Sequence, residues 1–370
     1  MKLSKLKIEN FRSVKYLCLD CNDKMNVFVG DNGAGKSTVL DAVTLLLSWY
    51  VARIKNVTGR GNAISKNDIN NGASFSFLEC TTFDNVSWSI LKKSTKVRKI
   101  AADLKVQMKT DLAALTDFTN RIIEENDSYP VVAYYGVDRA VSEIPLRVRK
   151  KHRLEPENVY EKALDGKASF RFFFEWFRER EDIENEVYRN ANGGAEFKSD
   201  RQLTAVRMAL NGFFQNYGSF RIRRHPLSFV MEKQINEDEK IELDFHQLSD
   251  GEKCYITLVC DIARKLAMAN PNLQNPLEGE GIVLIDEIDF HLHPKWQGEV
   301  LGKLTDIFPN CQFFISTHSP FVVSSVLNGK GTIIGMKDGK SFSKTSDMYG
   351  REIDIVLADY FDVDPRGIYN

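Results

Sequence analysis

The sequence predicts an α/β fold: a mixed, largely parallel sheet with flanking helices, an antiparallel N-terminal subsheet and a compact helical insertion. Three observations predict it. The mostly apolar run Met25 to Val29 leads straight into a glycine-rich turn and then a helix. The wholly apolar segment Ile282 to Ile285 and the similar Phe313 to Ile315 and Thr332 to Ile334 alternate with helical stretches, as parallel strands covered on both faces do. Between these parts Phe170, Phe173, Phe174 and Phe177 fall at the i, i+3, i+4, i+7 positions of one helix face.

Taken in order, Lys5 to Glu9 alternates charged and apolar residues, as a half-buried strand does, and Tyr16 to Leu19 is a second short strand. Val39, Leu40, Val43, Leu46 and Leu47 give Ser37 to Tyr50 one apolar helical face. Val57 to Gly72, rich in Gly, Asn and Ser, reads as loop. Ser74 to Leu91 reads as antiparallel strands and Val131 to Tyr135 as another apolar strand. After the phenylalanine helix and a break at Asn190 to Gly194, Leu203, Val206 and Leu210 begin a second amphipathic helix. Sustained heptads are absent, so this is a compact insertion and not a coiled coil. Glu252 to Ala269 is helical. The expected division is 1–150 and 241–370 as two parts of one domain, with 151–240 inserted and a short C-terminal tail. In that tail Ile353, Ile355, Val356, Leu357 and Phe361, with Tyr360 among them, form an apolar set at near-helical spacing. It either packs on its own domain or docks a partner.

Composition narrows the function. The 370 residues allow two or three domains, or one large domain with an insertion, at roughly 150 residues each. Fifty Lys and Arg against 51 Asp and Glu give a net charge of -1, which argues against a DNA-packaging protein coated in basic charge. With 43% apolar and 27% charged residues the chain is an ordinary globular one. The longest apolar stretch, Ala42 to Ala52, includes Thr44 and Ser48 and falls short of the about 20 apolar residues a bilayer span needs. The first residues lack the apolar run of a secretory signal, so a cytoplasmic location is expected. Cys18 and Cys21 form one CxxC without a second pair. A structural zinc site takes four ligands, and buried free thiols are the expected state of the six cysteines.

The chemistry lies in four motifs. Gly30-Asp31-Asn32-Gly33-Ala34-Gly35-Lys36-Ser37 fits GxxxxGK[ST] at every fixed position, between a strand and a helix, the context the motif requires. Glycines let backbone N–H groups close around phosphate oxygens, and the helix start adds a positive dipole end. Asn32, Gly33, Gly35, Lys36, Ser37 and Thr38 are therefore the candidate ATP-binding residues. Lys36 would reach the terminal phosphates and Ser37 would bind Mg²⁺. Asp286 and Glu287 end the apolar strand Ile282 to Ile285. Asp286 would hold Mg²⁺ through water, and Glu287 would polarise the attacking water. Leu248-Ser249-Asp250-Gly251-Glu252 opens a helix. Ser249 and Glu252 are explained locally as a capping box; the functional reading has Ser249 and the Gly251 amide bind the γ-phosphate of a nucleotide on another subunit. Ser316-Thr317-His318-Ser319-Pro320 follows another strand, with His318 placed to contact the γ-phosphate or the attacking water.

The order of these motifs resembles the ABC-type ATPases of the SMC, RecF and OLD group. Leu6 to Ser13 is similar to their "I-x-N-F-[RK]" opening, which adds Arg12 to the nucleotide-binding set, and Asp289 sits where the family's D-loop lies. Leu248 to Glu252 resembles the LSGGE/Q signature with Asp250 in place of a Gly. Val131 to Arg139, Tyr160 to Glu186 and Tyr349-Gly350-Arg351 are similar to a bacterial branch, the PtuA-like ATPases of the Septu and retron anti-phage defence systems. The resemblance implies an ATP hydrolase that works as a homodimer or larger homo-oligomer. Two ATPs would be sandwiched between subunits, as a conformational switch over a separate HNH-type nuclease.

The chain departs from that pattern in places. The Q-loop glutamine expected around Ser74 to Cys80 is missing. About 45 residues follow the His318 region, too few for the Toprim nuclease of OLD proteins, and the long SMC arms are absent. The missing glutamine and the Asn10-Phe11-Arg12 start weigh against a transporter ATPase. A RecF-like repair ATPase that binds DNA ends or gaps is the alternative reading. For it, the basic runs Lys92 to Lys99, Arg139 to Arg153 and Arg221 to Arg224 are candidate DNA contacts, although charge runs are usually solvated faces. His291 and His293 next to the acidic cluster could also suggest a metal site.

Overall fold

Alternation along β1 (Leu3–Phe11) buries Leu6 and Ile8 and turns Lys5 and Lys7 outward. β1 pairs antiparallel with β2 (Val14–Asp20) on one side. The computed structural model describes residues 1–94, 109–125, 128–137, 156–168, 170–190, 198–327, 329–343 and 349–361. Every residue of β3 (Met25–Val29) is buried, and the loop after it runs into α1 (Lys36–Lys55). β4 (Phe75–Thr82) and β5 (Ser87–Lys93) complete a four-stranded antiparallel sheet, in the order β2-β1-β4-β5. The Ser74 to Cys80 stretch expected to hold a Q-loop thus falls almost wholly within β4, in this sheet and not at a strand end of the parallel one.

α2 (Ala113–Glu125) leads to β6 (Val131–Tyr135). The middle of the chain holds α3 (Phe170–Asn190) and α4 (Arg201–Phe213), as the apolar spacing predicts. It is not all helical, however. β7 (Tyr217–Arg224), β8 (Leu227–Gln234) and β9 (Lys240–Asp244) form a three-stranded antiparallel sheet that runs past residue 240. Phe220 and Ile222 face inward while Ser219 and Arg221 face out, a two-residue period that favours strand over helix. The aromatic face of α3 packs on this sheet: Phe229 meets Phe170, Phe173 and Phe177 edge-on, and Phe170 stacks on Phe245 at 3.8 Å.

α5 (Asp250–Ala269) is buried on nearly all sides from Tyr255 onward. β10 (Gly281–Ile285), α6 (Pro294–Gln297), α7 (Val300–Ile307), β11 (Cys311–Thr317), α8 (Pro320–Ser324), β12 (Thr332–Lys337), β13 (Lys340–Phe342) and α9 (Ile353–Tyr360) follow. The second sheet has the order β13-β12-β3-β11-β10-β6, parallel except for the β12–β13 hairpin. α1 packs against strands of both sheets. Among the described residues it is the one helix long and apolar enough to cross a membrane, and Val39, Leu40, Val43, Leu46, Leu47 and Tyr50 bury it in the core instead. In α9, Val356 and Tyr360 are buried and Tyr360 stacks on Phe342, so this helix packs on its own domain.

Candidate functional site

Because β3 lies between β12 and β11, with β10 next to β11, the strand ends that carry three of the motifs lie side by side. The turn after β3 is shaped by its glycines. Gly30 has φ +146°, and a Cβ there would stand 2.2 Å from the Met336 carbonyl oxygen. Gly35 caps α1 at φ +106°. Asn32 and Gly33 are exposed at the loop's crest. Lys36 Nζ, almost fully buried, donates to the carbonyls of Gly30 (2.7 Å) and Asp31 (2.9 Å). Burial lowers its pKa, and the carboxylates of Asp286 and Glu287 only partly offset this.

Ser37 Oγ donates to Asp286 Oδ1 at 3.1 Å, so the phosphate-loop serine and the strand-end aspartate meet across 249 positions. Ser316, buried at the end of β11, also donates to Asp286, and its oxygen accepts the Glu287 N–H at 2.8 Å. The motif reading placed no role on Ser316, yet it holds both acidic residues. Glu287 has φ +47°, a left-handed value that strains a non-glycine residue and tends to occur at functional sites. Its Oε1 is 3.9 Å from His318 Nε2. Burial lowers the His318 pKa and the neighbouring Lys36 charge lowers it further, against the pull of Asp289 and Glu287. Asp289 Oδ1 accepts from Thr317 Oγ1 (2.5 Å) and the His318 N–H (3.2 Å), fixing the turn that presents the histidine.

Arg12 (φ +48°) flanks the start of α1. It bonds Asp68 at 2.8 Å and Asp41, one turn after Ser37, while Ser13 Oγ lies 3.4 Å from Thr38 Oγ1. In this structure Arg12 is thus engaged by two carboxylates.

Ser249 and Gly251 stand apart. Among the described residues neither bonds the phosphate loop. Ser249 is the N-cap of α5 in a full capping box with Glu252. A Cβ on Gly251 would lie 2.2 Å from the His291 carbonyl oxygen, so the glycine permits close packing against the segment after Glu287. His293 caps α6 by accepting from the Lys295 N–H, and the His291 ring lies against Phe290. The described residues contain no group of three His, Cys, Asp or Glu side chains arranged to hold a metal. Cys18 is exposed and Cys21 buried, and both are free thiols.

Of the basic runs, Arg221, Arg223 and Arg224 are paired with Glu242, Asp244, Glu181 and Asp182. Those pairs occupy the charge that a DNA phosphate would need. Arg139 to Arg153 and Lys96 to Lys99 fall outside the described residues.

The AAA domain family matches residues 5–215, and a second AAA domain family matches 145–324. The chain is 30% identical to the Retron Vc95 probable ATPase of Vibrio cholerae, across 97% of this chain and 78% of that protein. It is 27% identical to the Retron Ec83 probable ATPase of Escherichia coli, across 99% and 77%. It is 22% identical to the Septu protein PtuA of Bacillus thuringiensis, across 95% and 78%. With its phosphate loop, strand-end acid pair and histidine gathered at one end of a parallel sheet, the chain belongs to the AAA-domain ATPases, in the branch that holds the retron and Septu ATPases.

Proposed function

We propose that the chain is the regulatory ATPase of an anti-phage defence complex and controls a separate nuclease of the HNH type. The observation that carries this reading is the convergence of Lys36, Ser37, Asp286, Glu287 and His318, in a chain related over nearly its whole length to retron ATPases. The RecF protein of Leptospira interrogans matches 34% of the chain, against 99% and 97% for the retron ATPases, and this supports the defence reading over the repair one. In this reading residues 1–150 and 241–370 form one ATPase domain with 151–240 inserted between its parts, the inserted sheet reaching on to Asp244.

In this reading Asn32, Gly33, Gly35 and the N–H groups at the start of α1, through Thr38, bind the phosphates of ATP. Lys36 exchanges its two carbonyl partners for the terminal phosphates. Arg12 and Asp289 flank the nucleotide. Ser37 Oγ and Asp286 Oδ1 are an oxygen pair of the hard kind that Mg²⁺ takes, so the residues fit that ion and would hold it. When bound, Mg²⁺ neutralises charge on the phosphates. Glu287 orients and deprotonates the attacking water, and His318, neutral and beside it, contacts the water or the γ-phosphate. Ser249 and Gly251 complete the site from a second copy, so ATP binding closes a homodimer or larger homo-oligomer and acts as a switch. DNA is a further candidate partner through Lys92 to Lys99 and Arg139 to Arg153. Sedimentation of the Glu287→Gln chain with and without Mg·ATP tests the switch. ATP-dependent self-association is expected, and one unchanged sedimentation coefficient at all ATP concentrations refutes it.

A further inference from the structure

The capping box at the start of α5 has more partners than a helix cap needs. Glu252 divides its carboxylate between two neighbours. Oε2 accepts from the Ser249 N–H (2.9 Å) and the Ser249 hydroxyl (2.8 Å), and Ser249 Oγ in turn accepts the Glu252 N–H (3.3 Å). Those bonds alone satisfy the first turn. Oε1 points the other way, where Tyr217 Oη donates to it at 2.5 Å and Lys233 Nζ stands 3.6 Å off. Tyr217 and Lys233 face each other across the β7–β8 pair, with the lysine 5.1 Å above the tyrosine ring.

This joint is firmly seated. Tyr217 is buried and meets Phe214 edge-on, and Phe214 packs on Tyr255 of α5 and on Trp296 of α6. Burial would raise the Glu252 pKa, but the bonds from Tyr217 and Ser249 outweigh it and lower it, so the carboxylate is charged at neutral pH. A phenylalanine would pack in the same aromatic wall. The tyrosine adds only its hydroxyl, aimed at the acid that holds Ser249.

We propose that Tyr217 and Lys233 are positioning residues: they anchor Glu252 to the three-stranded sheet and so fix the Ser249 hydroxyl for a nucleotide carried by a second copy of this chain. The inference rests on the composite-site reading above. The sheet absent from the helical reading of 151–240 thereby has a role, which is to brace the signature end of α5. Bracing before assembly spares the ordering cost when two copies meet.

The full-length chain carrying Tyr217→Phe, Lys233→Met or Ser249→Arg tests this. Three quantities are measured: ATP affinity at low protein concentration, turnover at saturating ATP, and ATP-driven self-association in a Glu287→Gln background. Tyr217→Phe should lower turnover about tenfold, the scale of losing a hydrogen bond to a charged group. Self-association should weaken in parallel and ATP affinity stay unchanged. Lys233→Met should act in the same direction, more weakly. Glu252→Gln, which keeps an acceptor, should retain more turnover than Glu252→Ala. A purely packing role would instead lower the unfolding temperature and all three quantities together. If Ser249→Arg is inactive while Tyr217→Phe and Lys233→Met match wild type, the positioning role is wrong and the composite site survives. If Ser249→Arg itself turns over and assembles normally, both fall. Should Tyr217→Phe fail to fold, Lys233→Met and the Glu252 pair decide.

Discussion

At the scale of single residues, Glu287 is held in a strained backbone state by Ser316, whose hydroxyl serves both acids at once. The proposed role of Glu287 as the base should be separable from nucleotide binding. Glu287→Gln is expected to cut ATP turnover by about 10²–10⁴-fold, the usual size of general-base catalysis. Its nucleotide affinity should persist, whereas Lys36→Ala should weaken affinity. Phosphate release and equilibrium binding of a fluorescent ATP analogue check both, and wild-type turnover in Glu287→Gln sinks the assignment. His318 adds a pH signature. Its pKa is lowered by burial and by Lys36, so the imidazole is neutral at pH 7 and needs more acid than usual to gain a proton. Turnover that depends on the neutral ring should fall only below the ordinary histidine value of about 6.5. That acid limb should disappear from the residual kcat profile of His318→Gln; an unchanged limb assigns it to another group. Lys36, Ser37, Asp286, Glu287 and His318 were legible because each lies in a short contiguous motif. Ser316's two hydrogen bonds and Arg12's pairing with Asp41 and Asp68 were not. They join positions 29 to 56 apart, and spacing along the chain carries no trace of them.

Among the elements, α5 links the two kinds of motif. Its first turn carries Ser249, and its middle carries Asp261, fully buried and bonded by Arg264 (2.7 Å), Lys265 (2.6 Å) and the Tyr135 hydroxyl (2.9 Å). Tyr135 ends β6, and its carbonyl accepts the Asp286 N–H at 2.8 Å. Burial would raise the Asp261 pKa, but Lys265 and Arg264 bring it down to about 2. A carboxyl depressed in this way contributes stability above its unfolded value of about 3.9 and loses it as pH falls through the folded one. Asp261→Asn leaves two buried cations facing a neutral amide, and its expected cost is about 3–5 kcal/mol. Urea unfolding at pH 7 measures it, and a loss under about 1 kcal/mol contradicts the account. Elements with a strong single period, such as α1, α3, β3 and β10, were readable in advance. The β7–β9 sheet was hidden because three arginines occupy its final β7 positions and read as a basic run. Only the partners of Arg221 and Arg223, Glu242 and Asp244 at the β9 strand about 20 residues on, and those of Arg224, Glu181 and Asp182 on α3, show them to be paired.

On the scale of the whole molecule, the chain leaves the parallel sheet after β6 and returns to it at β10, which brings residues from both halves of the sequence to the same end of neighbouring strands. The two halves of the site were each legible, while their union depends on a strand order that no local pattern specifies. The same topology leaves Ser249 and Gly251 apart from the phosphate loop of their own chain. Gly251 packs closely under the His291 carbonyl, and the Ser249 hydroxyl bonds Glu252. In the composite-site reading the start of α5 serves the nucleotide of a second copy. Complementation follows from that geometry. Lys36→Ala chains lack a working phosphate loop, and Ser249→Arg chains lack a working signature end, so each alone should be inactive. Mixed in equal amounts, half of the pairs formed at random are heterodimers, and each heterodimer holds one intact composite site and one doubly defective one. About a quarter of wild-type turnover is then expected if the sites act independently, and less if they must fire together. Affinity tags on the two variants verify that mixed pairs form. Mixed pairs without any recovered turnover would mean that the two sites are coupled or that Ser249 acts within its own chain, and a Ser249→Arg chain that binds ATP yet fails to self-associate would point to the first of these.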